Sequence, residues 1–263
     1  MDTYSQIEGF AAHGVVTGKP ISIGGSLGRE AATGKGVAYC INFAYDKMDK
    51  KIDHSTTIAI HGFGKVGMPA AVDLAEQGAK IVAVSDYTCG LYDEKGLNIL
   101  DIIDFVKHKK TLDKYERDGV TKITNAELLA LDVDILIPAA IDTVITKDNM
   151  ETIKAPLIAE GANGPLTKDA VKFLSDKGVF IIPDILCNAG GVIVSYFEWV
   201  QGLAHFFWDE DKINKELHMI LKNAFAEVVQ KAEHYKCDMK TAAMIASVAK
   251  MEAAMKLRGL FPG

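Results

Sequence analysis

The chain has 263 residues, 49% hydrophobic and 24% charged, a composition that excludes a disordered or collagen-like protein and suffices for a core without disulfide support. A formal net charge of −6 argues against a broad nucleic-acid surface. No apolar run reaches the roughly 18 residues of a membrane span, and the opening MDTYSQIEGF lacks the basic and apolar regions of a signal peptide.

In chain order, the first sixteen residues read as a short helix and a turn. Residues 17–28, TGKPISIGGSLG, are too rich in Gly and Ser for regular helix. A helix is expected from Arg29 to about Lys50. Gly34 and Gly36 in its first turns imply that something approaches the backbone closely. Residues 56–61 (TTIAIH) read as a β-branched strand. GFGKVG follows, then a helix ending at Gly78 and a second strand over residues 80–85 (KIVAVS). Residues 97–110 read as an amphipathic helix, and residues 133–137 (VDILI) as a strand stopped by Pro138. Residues 157–159 form a short strand, residues 167–177 a helix capped by Thr167, and residues 179–182 a last strand stopped by Pro183. From Asn188 onward the chain reads as wholly helical, with amphipathic helices over 212–235 and 241–257. Short apolar strands alternating with helices imply an α/β fold: a parallel, doubly wound sheet with helices on both faces and a helical C-terminal extension.

Gly62-Phe63-Gly64-Lys65-Val66-Gly67 fits GxGxxG, a weak match by composition alone. Its context is stronger. It follows a strand, opens a helix, and precedes a second strand ending in Ser85 and Asp86. Gly62 would allow the tight turn, Gly64 would let a pyrophosphate approach, and Gly67 would let the helix pack on the sheet, the fingerprint of a Rossmann-type dinucleotide site. The carboxylate of Asp86 would repel a 2′-phosphate and so favours NAD. Ser85 beside it would donate to that phosphate, so NADP stays open. Small and polar clusters follow the later strand ends: Ala139 and Ala140, then Asn163 in GANGP, then Asn188 in DILCNAGG. That is where such a sheet places ligands. Arg29 offers a bidentate carboxylate clamp. Ser195, seven residues after Asn188, lies two helical turns along the same face.

Cys40, Cys89, Cys187 and Cys237 are far apart, with no CxxC pair. They read as reduced thiols in a cytoplasmic protein. The seven histidines include no HExxH or close pair, so no metal site is expected.

The segments TGKPISIGGSLGREAATGKGV, IAIHGFGKVG, VAVSD, LIPAA, AEGANGP and PDILCNAGGVIVSYFEWVQ together resemble the cofactor-binding domain of the glutamate, leucine, phenylalanine and valine dehydrogenases. GGSLGR and SYFEWVQ look most like the glutamate branch. The resemblance covers nearly the whole chain in order. It implies oxidative deamination of L-glutamate to 2-oxoglutarate and ammonia with NAD or NADP. A hydride leaves the substrate α-carbon for the nicotinamide, and water attacks the resulting imine. It implies that Thr33 touches the nicotinamide carboxamide and that Gly62, Phe63, Gly64, Lys65 and Val66 line the pyrophosphate. Asp86 would sit by the adenosine ribose, with Ala139 and Ala140 under the cofactor. Asn163 would lie by the nicotinamide ribose and Asn188 near nicotinamide and substrate. Arg29 and Ser195 would help hold the substrate's side-chain carboxylate.

Members of that family also carry an N-terminal substrate domain with a catalytic lysine in a glycine-rich segment, a second substrate lysine and an acid–base aspartate. No GGGKGG-like segment occurs in this sequence. The expectation is a truncated chain, a split gene or a mis-called start codon, inactive alone and a homo-oligomer, hexameric in the family, when complete. Residues 1–23 would be a helix and linker, 24–205 the dinucleotide domain, and 206–263 the C-terminal helices. Lys19, between Gly18 and Pro20, is the least ordinary lysine present, although a poor candidate for a base. If the last helix packs on the absent domain, it exposes a stripe including Met244, Val248, Met251 and Met255. Two other readings compete: a standalone nucleotide-binding or regulatory module that joins a full-length dehydrogenase, and an autonomous dehydrogenase of 2-hydroxy acids. The last would need one of His13, His61 or His205 paired with a carboxylate at the cleft.

Overall fold

The computed structural model describes residues 1–108 and 111–259. Helix α1 (Asp2–Glu8) is closed by a left-handed Gly9, and single 3-10 turns follow at His13–Val15 and Ile21–Ile23. Then come α2 (Ala32–Lys47), β1 (Thr57–His61), α3 (Gly67–Glu76), β2 (Lys80–Ser85), β3 (Gly90–Tyr92) and α4 (Ile99–Lys107). The middle of the chain supplies β4 (Thr121–Ile123), α5 (Asn125–Leu129), β5 (Ile135–Pro138), β6 (Leu157–Ala159), α6 (Lys168–Asp176), β7 (Phe180–Ile182) and α7 (Asp184–Cys187). Three long helices end it: α8 (Gly190–Ala204), α9 (Glu210–Tyr235) and α10 (Met239–Arg258).

The seven strands lie in the order β4-β3-β2-β1-β5-β6-β7. The five from β2 to β7 pair in parallel, so the doubly wound reading holds for them. The expectation of a wholly parallel sheet is corrected: β3 pairs antiparallel with both β2 and β4. The tight Asp86–Cys89 turn forces this reversal, because it leaves no room for a crossover. Strand pleating divides the core. Ile58 and Ile60 face α2, α3 and α9, while Ala59 and Ala83 face α5 and α6.

Several boundaries differ from the sequence reading. Helix α2 starts at Ala32, not Arg29, because Gly28 is left-handed and a turn intervenes. The helix expected over 97–110 begins after Asn98, whose side chain accepts from the Asp101 N–H. Its last two positions, 109 and 110, lie outside the described residues. The run from Asn188 is not continuous: His205 turns left-handed at φ 50° and Asp209 caps α9 two residues earlier than expected. Thr167 caps α6 as expected, accepting from the Ala170 N–H.

Helix α2 runs through the middle of the molecule on glycine contacts. A Cβ on Gly34 would stand 2.6 Å from the Val66 carbonyl and the Ala70 nitrogen of α3. One on Gly190 of α8 would stand 2.1 Å from the Ala32 carbonyl, and one on Gly36 3.1 Å from the Gly190 Cα. What approaches these glycines is therefore the backbone of α3 and α8.

Candidate dinucleotide cleft

The chain leaves β1 at His61 and turns sharply at Gly62, whose φ of 104° suits glycine alone. The N–H groups of Gly62 and Phe63 donate to the Ser85 carbonyl at 3.0 and 2.7 Å, tying the turn to the end of β2. The Phe63 side chain is buried in the core, so neither its amide nor its ring faces a ligand. The next three amides differ. Gly64, Lys65 and Val66 precede α3, and their N–H groups meet no acceptor among the described residues. Such orphan donors, with the helix dipole behind them, are able to hold an anion. A Cβ on Gly64 would meet nothing within 4 Å, so this residue borders open space.

Ser85 is fully buried; its hydroxyl accepts from the Gly62 N–H at 3.4 Å and does not line the cleft. Asp86 is engaged within its own turn. Its carboxylate accepts from the Thr88 N–H at 2.7 Å, the Thr88 hydroxyl, the Cys89 N–H at 3.2 Å and the Leu112 N–H at 2.9 Å. Burial alone would raise its pKa; these donors outweigh burial and hold it below the usual carboxylate value.

Beside the glycine turn opens a cleft of about 1060 Å³. Loop anchoring builds it. The Ala139 N–H donates to the His61 carbonyl at 2.7 Å, and Gly161 and Ala162 both donate to the Pro138 carbonyl. Successive strand ends thus lie side by side. Eight of the expected residues line this cleft: Arg29, Thr33, Val66, Ala139, Ala140, Asn163, Asn188 and Ser195. The Asn188 amide donates to the Asn163 side-chain oxygen at 2.7 Å and to the Gly161 carbonyl at 3.3 Å. The Arg29 Nε is buried without a hydrogen-bond partner among the described residues. Ser195 bonds back to the Gly191 carbonyl at 2.9 Å, which leaves its oxygen free to accept. The sequence reading did not single out Ile141, Asp142 or Val192, which also line the cleft. Their signal was adjacency: 141 and 142 continue the loop after Ala140, and 192 lies one turn before Ser195.

The Lys19 side chain is nearly covered, its Nζ 2.7 Å from the Glu198 carboxylate of α8. Glu198 also accepts from the N–H groups of Gly18 and Lys19, at 2.8 and 3.1 Å. The pair clips the segment before Arg29 to α8. Burial raises the Glu198 pKa, but the Lys19 ammonium and the two N–H donors more than offset this and leave it lowered. A lowered carboxylate pKa contributes stability above the unfolded value of about 4.3 and loses it as pH falls through the folded value. The thermal midpoints of wild type and Glu198→Gln should therefore differ most near neutral pH and converge below about pH 4. A constant gap down to pH 3 would refute this.

No histidine lines the cleft, and among the described residues none is ion-paired to a carboxylate. His61 is buried, its pKa lowered by burial, and His13 and His205 meet edge to face. The four cysteines are free thiols. No helix among the described residues is long and apolar enough to cross a membrane, and no His, Cys, Asp and Glu cluster there could hold a metal.

Comparison with known proteins gives the context of this cleft. Residues 24–259 match the family model of glutamate/leucine/phenylalanine/valine dehydrogenase. A glutamate dehydrogenase of Thermotoga maritima is 47% identical over all of this chain and 62% of its own length. A cryptic catabolic NAD-specific glutamate dehydrogenase of Bacillus subtilis is 42% identical over 98% of the chain and 60% of its own. Among solved structures, the hetero-hexameric glutamate dehydrogenase of Thermus thermophilus superposes with a TM-score of 0.91 at 29% identity, over 100% of this chain and 61% of that one. The chain therefore spans about three fifths of the length of the curated relatives it matches. With its fold, glycine turn and strand-end cleft all in agreement with these matches, the chain belongs to the glutamate, leucine, phenylalanine and valine dehydrogenase family.

Proposed function

We propose that this chain forms the dinucleotide-binding part of a glutamate dehydrogenase, taking NAD in preference to NADP and presenting it to L-glutamate or 2-oxoglutarate. The observation that carries the reading is the gathering of Arg29, Asn163, Asn188 and Ser195, from separate segments, in one cleft that Val66 joins to three acceptor-free amides. The amides of Gly64, Lys65 and Val66 hold the pyrophosphate, with Gly62 and Gly67 shaping the turn; Phe63 contributes only packing. Ala139 and Ala140 keep the floor low enough for a flat ring. Thr33 meets the carboxamide, Asn163 the nicotinamide ribose, and Asn188 the ring and the substrate. Arg29 has a buried nitrogen without a protein acceptor, and a substrate carboxylate supplies one, with Ser195 beside it. When bound, the nicotinamide accepts the hydride. Asp86, inside its turn, gives the adenosine end its negative charge and with it the NAD preference, in keeping with the Bacillus relative's name.

Amine oxidation also calls for a base and a group that activates water. No lysine lines the cleft among the described residues, so we assign both groups to a substrate domain within the part of the relatives that this chain does not match. Met244, Val248, Met251 and Met255 of α10 are each more than half exposed, and we take this stripe as that domain's seat. We take the assembled form to be a homo-oligomer, its six-subunit size by analogy with the hetero-hexameric Thermus relative. Titration with NADH and NADPH, followed by fluorescence, should give saturable binding that is tighter for NADH. Glutamate with either oxidised cofactor should give no turnover until a substrate domain is supplied. Turnover by the chain alone would place the acid–base groups within it; failure of both cofactors to bind would refute the dinucleotide reading.

A further inference from the structure

Glu160 follows β6 and is completely buried, and its only cationic partner among the described residues lies 80 positions later, on α10. Lys240 Nζ donates to both Glu160 oxygens, at 3.2 and 3.0 Å, and stands 3.5 Å from the Asp184 carboxylate. From there a chain of bonds runs into the cleft. The Asp184 N–H donates to Glu160 at 2.8 Å, and the Asp184 carboxylate accepts from the Gly164 N–H at 2.7 Å. The Asp184 carbonyl accepts from the Asn188 N–H at 3.0 Å, and the Asn188 side chain closes the circuit on Asn163 at 2.7 Å. The two loops that carry the cleft's asparagines thus share one buried anionic anchor, and a lysine of the last helix balances it. Without Lys240, two carboxylates would face each other in a low-dielectric site. Repulsion and desolvation would drive the loops apart. The glycine turn has no bond in this circuit.

We propose that Lys240 is a positioning residue for the nicotinamide half of the cleft: it fixes the 160–164 and 184–188 loops, while the pyrophosphate half stands without it. The proposal rests on the dinucleotide reading above. It also gives α10 a second role, because the helix that carries the exposed stripe holds the cleft's far wall.

The test separates the two halves of the ligand. Wild type, Lys240→Arg and Lys240→Met are titrated with NADH and with ADP, which lacks the nicotinamide and its ribose. Lys240→Met should weaken NADH roughly tenfold, the size of one lost charge-assisted hydrogen bond, and leave ADP within about twofold. Lys240→Arg should restore most of the NADH affinity. Should Lys240→Met not fold, Lys240→Gln, a polar side chain without the charge, carries the same expectation. Parallel weakening of NADH and ADP would mean a merely structural lysine, and unchanged NADH binding would mean no role; either overturns the proposal. Hydrogen exchange gives a ligand-free reading. Exchange at 160–164 should quicken in Lys240→Met while 62–67 stays unchanged, and uniform change across both would overturn the proposal. If wild type bound neither ligand, the dinucleotide reading would fall and the exchange contrast would decide the latch by itself.

Discussion

Gly67→Ala is expected to lower stability by about 3 kcal/mol or more, whereas Gly64→Ala should stay within about 0.5 kcal/mol of wild type yet lose most dinucleotide binding. The two glycines are three residues apart, and their surroundings differ completely. A Cβ on Gly67 would lie 2.0 Å from the Gly62 carbonyl oxygen and 3.1 Å from the Ile60 side chain. The obstructing atom is backbone. It cannot retreat, because Gly62 is itself pressed against Ala139 and Ala140, where a Cβ would find atoms at 2.6 Å. Relief would require the turn to leave the end of β2. Gly64 has ordinary backbone angles and open space. Its methyl would project into the region that an anion must enter to reach the amides of 64–66. Denaturant unfolding and NADH titration of both variants check this. Equal stability losses, or undiminished binding by Gly64→Ala, would show that the open space is not the anion's approach.

Lys19→Met is expected to destabilise the fold by roughly 3–5 kcal/mol. It strands the Glu198 carboxylate, fully buried, with two backbone N–H donors and no cation. The Lys19→Met, Glu198→Gln double variant should recover much of the loss, because the penalty comes from an unpaired buried charge, not from the pair's own attraction. A double-mutant cycle in denaturant reads this directly; additive losses would refute it. The segment concerned leads to Arg29. Its other tether is the Gln201 amide, which donates to the Ser26 hydroxyl at 3.0 Å. Loosening it should also weaken whatever Arg29 holds.

The sequence made the local features legible and hid the distant ones. Thr167 and the five parallel strands could be read because caps and apolar runs are set by neighbouring residues. β3 and β4 escaped because three residues carry no period, and one of those in β3 is glycine. The break after α8 escaped because His205, not glycine or proline, takes the left-handed turn. The cleft was largely legible through strand-end loops rich in Gly, Ala and Asn. The state of its residues was not. That Asp86 spends its lone pairs on Thr88, Cys89 and Leu112, or that Phe63 faces the core, depends on packing that no spacing encodes. Lys19 with Glu198 and Lys240 with Glu160 join residues 179 and 80 positions apart, beyond any local pattern.

The glycine contacts along α2 have a mechanical meaning. Where helices meet through long side chains, rotamer changes absorb small displacements and the joint is compliant. At Gly34, Gly36 and Gly190 backbone meets backbone, with no rotamers to yield. The helices α2, α3 and α8 therefore move as one stiff block, and the amides of 64–66 and the Ser195 side of the cleft keep a fixed spacing. Any opening or closing must bend the chain outside that block, as at the left-handed His205 after α8.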